Sequence, residues 1–232
     1  MTIELKENLT NLNLFWQALS VTKSGDEINL HLSWPNKVWR SDFKRIAREK
    51  WNENTHVTLI KPEPQENVGI KTQLTAMHLV LDKAVGCKHE HVLLINSIDD
   101  LKKWCLVCEK AFDYKIDSHS LAPLLDDRNA TILAFKVNKQ LAGTAILYQS
   151  NNNMGIHQVG VLPQFQGQGI GKALLLHAIA ISKNKSCKTM TLQASLAGST
   201  MYLNSGFTTI TELYHLESLS NHEIKNSPKV FK

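Results

Sequence analysis

The sequence predicts an α/β protein: a mixed, mostly antiparallel twisted sheet flanked by helices. Three observations carry that expectation. The chain has 232 residues, 43% of them hydrophobic, enough for one large domain or two small ones with a real core. Its second half reads as helix, helix, three antiparallel strands, helix, strand, helix, strand. A glycine-rich loop there joins an apolar strand to an apolar helix, the place where an open sheet holds a phosphate-bearing ligand.

Each element has a local reason. Glu27 to Ser33 alternates, with Ile28, Leu30 and Leu32 on one face, and reads as a strand ended by Pro35. Trp39, Phe43 and Ile46 stand at helical spacing, so Lys37 to Lys50 is expected as an amphipathic helix. His56 to Ile60 is a short strand, and Pro62 and Pro64 mark a turn. Leu74 to Leu81 and His91 to Ile95 are strands. Ser97, with Asp100 three residues on, caps a helix whose stripe is Leu101, Trp104, Cys105, Cys108, Ala111 and Phe112. Ser118 to Leu125 is a second short helix. Thr131 to Val137 and Leu141 to Tyr148 form a hairpin about Asn138-Lys139-Gln140. Ile156 to Val161 is a strand, Gly171 to Ser182 a helix, Thr189 to Gln193 a strand, Ser199 to Asn204 a short helix and Phe207 to Leu216 the last strand. The polar tail from Ser218 is expected to fray.

Charge and composition exclude several classes. The net charge of +5 is small for this length and gives little steering towards nucleic acid. Four scattered cysteines make no disulfide scaffold, which points to a reducing, cytoplasmic compartment. Met1 to Asn13 carries acids and amides rather than a basic start and an apolar run, unlike a secretory leader. The longest apolar stretch, Ala173 to Ile181, is half of what a bilayer needs, so no membrane partner is expected. Between Asp127 and Glu212 there is no acid but seven bases. That asymmetry fits either a buried, charge-poor sheet or a site for a strongly anionic ligand.

The strongest motif runs from Val159 to Leu175. Gly167, Gly169 and Gly171 let the backbone turn tightly and bare its amides at a helix N-terminus, where a pyrophosphate binds. The spacing is not the dinucleotide G-x-G-x-x-G, and Lys172 is followed by Ala173, unlike a P-loop. Gln166-x-x-Gly169-x-Gly171 resembles the acyl-CoA signature of the GNAT acetyltransferase superfamily. Downstream, Leu192 to Phe207, with Tyr202-x-x-x-Gly206-Phe207, is similar to that family's second motif. The likeness covers residues 92–217 well and 1–91 poorly.

This resemblance implies the GNAT fold and acetyl transfer from acetyl-CoA to the primary amine of a small molecule or peptide, by direct attack on the thioester. It implies that the amides of Gln166, Gly167, Gln168, Gly169, Ile170, Gly171 and Lys172 hold the pyrophosphate. The strand at Gln158, Val159 and Val161 would pair with the pantetheine arm beside a splay or bulge, with an amide there polarising the thioester carbonyl. Tyr202 matches the tyrosine that protonates the leaving thiolate, or else packs in the core. Ser195 stands where many members have a cofactor-contacting asparagine. The glutamate base of many members is missing. His157 is the only group on that strand titrating near neutrality, so it is the candidate base. A satisfied structural histidine, or a mechanism using water or a neutral amine, stays open beside it. Glu212, Tyr214 and His215 are weaker candidates.

Other features read as structural. Trp104-Cys105-x-x-Cys108 has a redox-motif spacing but lies inside a helix already begun, and is taken as a buried stripe. His89-Glu90-His91 lacks metal-ligand spacing, and no metal is expected. Trp34-Pro35-Asn36 with Trp39 resembles the start of two-lobed members. The expected division is a degenerate N-terminal lobe (1–91), a catalytic domain (92–217) and a tail (218–232), in a monomer or homodimer. The alternative to an enzyme is a silent acyl-CoA-binding module of the same fold.

Overall fold

The computed structural model describes residues 1–20, 22–23, 28–31, 33–46, 56–60 and 68–218. Helix α1 spans Ile3–Ala18, capped by the Thr2 hydroxyl, which accepts from the Leu5 N–H. Strands β1 (Thr22–Lys23), β2 (Ile28–Leu30), β3 (Lys37–Arg40), β4 (His56–Ile60), β5 (Val68–Val80) and β6 (Val92–Ile95) follow. Helix α2 (Ile98–Phe112) starts at Ser97, whose hydroxyl accepts from the Asp100 N–H as the capping box requires. Helix α3 (Ser118–Leu121) runs into a 3-10 turn (Ala122–Leu125). Then come β7 (Ala130–Val137), β8 (Gln140–Ser150), β9 (Asn153–Val161), α4 (Ile170–Asn184), β10 (Thr189–Ala194), α5 (Leu196–Leu203) and β11 (Thr208–Ser218).

The strands form one open mixed sheet in the order β1-β2-β3-β4-β11-β5-β10-β9-β8-β7-β6. All pairings are antiparallel except β3 with β4 and β9 with β10. Helices α1 and α2 cover one face through a core that includes Phe15, Trp16, Trp39, Trp104 and Leu213. Helices α4 and α5 cover the other through Met77, Leu147, Ile156, Leu174, Leu192 and Tyr202. Long β5 lies between β10 and β11, pairing with β11 along most of its length and with β10 from Thr75 to Val80, so the N-terminal half supplies a central strand.

Two departures from the sequence reading have physical causes. Lys37–Arg40 is strand, not helix: Val38 and Trp39 point to opposite faces, one into the cluster with Val57 and Leu216, the other onto Trp16. Cross-strand pairing on both sides of β3 outweighs the helical spacing of Trp39, Phe43 and Ile46, and Phe43 takes a left-handed φ of 53°. Residues 47–50, the end of that expected helix, the Pro62–Pro64 turn and the tail beyond Ser218 lie outside the described residues. The second departure is α1, a segment with no helix signal in the sequence. Its asparagines disfavour helix, yet Asn8 and Asn11 are buried and bonded to the sheet.

Candidate active site

The sheet opens between β9 and β10. The two strands pair in parallel only at Asn153, Met154 and Gly155, opposite Thr189, Met190 and Thr191. Beyond Gly155 they have no further register partners, and a cleft begins between Ile156–Val161 and Leu192–Ala194. On the same stretch β9 carries a bulge against β8, between the pairs Ile146–His157 and Thr144–Gly160. Gln158 sits in it with φ 51°, and the Thr144 hydroxyl donates to its carbonyl at 3.0 Å.

The bulge sorts the side chains of β9. Ile156, Val159 and Val161 face α4 and α5. His157 faces α1 and Gln158 faces α2. The glycine at 160 is forced by α2: a Cβ there would lie 2.8 Å from Phe112 Cε2 and 2.9 Å from Ala111 Cβ.

At the end of β9 a 3-10 turn (Pro163–Phe165) leads into the glycine loop. Gln166 Nε2 donates to Val161 O and Gln168 Nε2 to Gln164 O, so these side chains brace the loop. Gly167 and Gly169 take φ of 75° and 81°, and Gly169 caps α4. Among the described residues the six backbone N–H groups from Gly167 to Lys172 make no hydrogen bond. They stand at the positive end of a fifteen-residue helix with no acid in its first turn. Nothing lies within 4 Å of a Cβ built on Gly167 or Gly169, so the loop is open around both glycines. This row of free donors fits the pyrophosphate of an acyl-CoA. At Gly171 a Cβ would come 3.2 Å from Met201 Sδ, so this glycine also lets α5 lean on the start of α4.

Tyr202 and Ser195 lie across the cleft on α5 and just before it. Ser195 is the N-cap of α5, its hydroxyl accepting from the Gly198 N–H at 3.3 Å. Tyr202 is buried edge-on to Phe207, with ring centroids 5.6 Å apart. Burial pushes its phenol pKa up, so it keeps its proton at neutral pH. Its hydroxyl has no hydrogen-bond partner among the described residues and remains available as a donor.

His157 has other surroundings than the sequence reading gave it. It is buried, stacked on Phe15 with ring centroids 4.0 Å apart and planes 6° apart. Asn11 spends its amide N–H groups on Tyr148 O and Ser150 Oγ, so its Oδ1 accepts from His157 Nε2 at 3.0 Å. Burial lowers the imidazole pKa to about 3. A neutral ring locked under α1 is a poor proton acceptor, and the expected base role does not fit this placement. The weaker candidates fare no better as a group. His215 is buried and bonded to Thr58 Oγ1 at 2.7 Å, with its pKa well below the usual value. Glu212 takes the Tyr214 hydroxyl, on β11 and so two strands beyond β10.

Several site residues carry no sequence signal. Asn8 on α1 donates to Met77 O at 3.0 Å and to Leu192 O at 2.9 Å, and accepts from Gln193 Nε2. It thereby binds the β10 bank of the cleft while Asn11 binds the β8 and β9 side. On α2 and the loop after it, Cys108 and Tyr114 converge on Gln158. Only tertiary contact gives these residues their roles. The sequence fixes none of those partners.

The family model for the Acetyltransferase (GNAT) family matches residues 96–207. No curated protein sequence matches the chain. A GNAT-family protein from Novosphingobium aromaticivorans is similar in structure, with TM-score 0.64 and 13% identity, over 94% of this chain and 100% of that one. A GCN5-related N-acetyltransferase from Kribbella flavida gives 0.64 and 13% over 96% and 98%. At such identity these likenesses show the fold. With the family match over the splayed strands and the glycine loop, residues 96–207 are a GNAT acetyltransferase domain set in a larger, continuous sheet.

Proposed function

We propose that the protein transfers an acetyl group from acetyl-CoA to a primary amine of a small molecule or peptide. The observation that carries this is the row of six free amides from Gly167 to Lys172, placed at the end of the strand that borders the cleft. Acetyl-CoA supplies the activated thioester. The loop amides hold its pyrophosphate, and the unpaired edges of β9 and β10 give its pantetheine arm backbone partners. An amide at the Gln158–Val159 bulge is positioned to bind the carbonyl oxygen as it gains charge. Tyr202, protonated and without a competing partner among the described residues, gives a proton to the departing sulfur. The amine attacks the carbonyl carbon directly, forming the C–N bond as the C–S bond breaks, and its proton passes to water.

Residues 1–91 act with the domain in this reading, since α1 braces both banks of the cleft. The four cysteines are free, and we place the protein in the cytoplasm. Among the described residues no helix is long and apolar enough to cross a membrane. The test is calorimetric binding of acetyl-CoA followed by thiol release with a panel of primary amines. Binding with turnover supports the reading. Binding without turnover of any amine supports the silent module, which the absence of an acid from Arg128 to Thr211 favours. No binding overturns both.

A further inference from the structure

The bulge on β9 presents the side chain of Gln158 towards α2. Gln158 Oε1 receives two donors, the Tyr114 hydroxyl at 3.0 Å and the Cys108 thiol at 3.5 Å. Two donors converging on one end of an amide fix which end is oxygen. The NH2 end then points the other way. Among the described residues it has no partner, and Gln158 is only half-buried. Burial raises the Tyr114 pKa, which keeps that phenol a donor. Thr144 pins the Gln158 carbonyl, so the backbone under the amide is held too. The result is a pre-oriented neutral hydrogen-bond donor beside the cleft, on the α2 side of the sheet.

The strands that border the cleft, and α5 beside them, carry no fixed negative charge. Neither β8, β9, β10 nor α5 carries a carboxylate. On α2 and its following loop, Glu109 accepts from the Ile116 N–H at 2.9 Å and Asp117 from His119 and Ser120, while Asp113, the C-cap of α2, is exposed. On the strands of the cleft and on α5 a cationic amine therefore finds neither an attracting carboxylate nor a carboxylate base to deprotonate it. An α-amino group, with a pKa of ~8, is roughly a quarter neutral at pH 7.5. A lysine-type amine is only about 0.1% neutral there. That difference of more than a hundredfold is large compared with what a single hydrogen bond supplies.

We infer that the acceptor is an α-amine with a carbonyl on the next carbon, a peptide N-terminus or an amino-acid amide, and that the Gln158 side-chain NH2, aimed by Tyr114, binds that carbonyl oxygen. The inference rests on the acetyl-transfer reading and narrows it to one class of amine.

The experiment compares kcat/KM at saturating acetyl-CoA for three acceptors. Alaninamide has the α-amine and the carbonyl. 2,2-Difluoroethylamine has a weakly basic amine and no carbonyl. Nα-acetyl-lysine amide offers only a side-chain amine. The wild type is expected to favour alaninamide over each of the others by at least about tenfold. In Gln158→Met the ratio of alaninamide to difluoroethylamine falls about tenfold, whatever the absolute rates do. Tyr114→Phe, which frees the amide without removing it, raises KM for alaninamide severalfold and changes kcat less. A wild type that prefers the lysine amide overturns the inference while leaving acetyl transfer intact. So does an unchanged ratio in Gln158→Met. Failure of every primary amine, with acetyl-CoA still bound, is the failure of the acetyl-transfer reading itself. Glu212→Gln is the control for a hidden base: an alaninamide rate that loses its acid limb in that variant also overturns the inference.

Discussion

His157 gives its Nε2 proton to Asn11 Oδ1 across 3.0 Å, tying the strand that bears the bulge to the N-terminal helix. Asn11 reaches this position because residue 155 is glycine. A Cβ there would fall 1.7 Å from Asn11 Oδ1. The bond therefore joins three pieces of sequence: α1, the parallel start of β9 and the beginning of the cleft.

His157→Gln should change the pH dependence of stability more than the pH dependence of the rate. The folded ring has a pKa of about 3 and the unfolded one the ordinary 6.5. The unfolded chain thus binds the extra proton between these values. Stability held above about pH 6.5 is lost as pH falls towards 3, at up to about 1.4 kcal/mol per pH unit for one proton. His31, lowered by burial to about 4, and buried His215 add slopes of the same sign. Urea unfolding at pH 7, 6, 5 and 4 should show the variant's slope shallower by about one proton. An unchanged slope means that the ring already titrates in the folded protein. The acid limb of the rate should survive in the variant and move with the pKa of the acceptor amine.

Asn8 makes a second measurable bracket. Its amide satisfies the carbonyls of Met77 and Leu192, and Leu192 is the first residue of β10 past the parallel pairs. Asn8→Ala removes both side-chain bonds to those carbonyls under α1, at about 1–3 kcal/mol of stability. It also frees the β10 bank of the cleft. Calorimetry should find acetyl-CoA bound about tenfold more weakly by the folded variant, with the glycine loop untouched. Wild-type affinity in a destabilised variant would confine Asn8 to packing.

Much of the fold was legible because its signals are local. Ser97 and Asp100 announce α2, alternation announces β7 and β8, and the glycine run announces the start of α4. The site was legible only in its backbone part. Period-two alternation places His157 on the face of Val159 and Val161, towards the cofactor side. One extra residue at Gln158 inverts that, and nothing in His157-Gln158-Val159 marks a bulge beforehand. Helix α1 hid for a related reason. Asn8 and Asn11 look like loop residues until the sheet carbonyls they serve are in place. In Lys37–Arg40 the same competition ran the other way, with strand pairing overriding a helical stripe.

Gly169→Asp tests the loop. The native φ of 81° suits glycine, and a side chain there meets no atom within 4 Å, so the cost to folding is the strain of a left-handed aspartate, about 1–2 kcal/mol. The added carboxylate instead stands among the free amides meant for the pyrophosphate. Circular dichroism should show a folded protein and calorimetry no detectable acetyl-CoA binding. Gly169→Ala shares the strain without the charge and should bind measurably. Equal affinities for the two variants would show that strain alone, not charge, acts at this position.

Tyr202→Phe separates proton donation from packing. The ring lies against Phe207 at 5.6 Å and its hydroxyl bonds to nothing among the described residues, so phenylalanine keeps the contacts. Stability should shift by less than about 1 kcal/mol, because no hydrogen bond is lost. Affinity for acetyl-CoA should hardly change. The turnover number should fall about 10- to 100-fold, the usual scale of a missing general acid. Burial holds the phenol's pKa above its ordinary value, so the wild-type rate should show no alkaline fall from this group until well above pH 10. A thioester with a more acidic leaving thiol needs less help from a proton donor. Replacing acetyl-CoA by an acetyl donor of that kind should therefore narrow the gap between wild type and Tyr202→Phe. A gap of constant size across donors would mean that the hydroxyl acts on geometry and not on the departing sulfur.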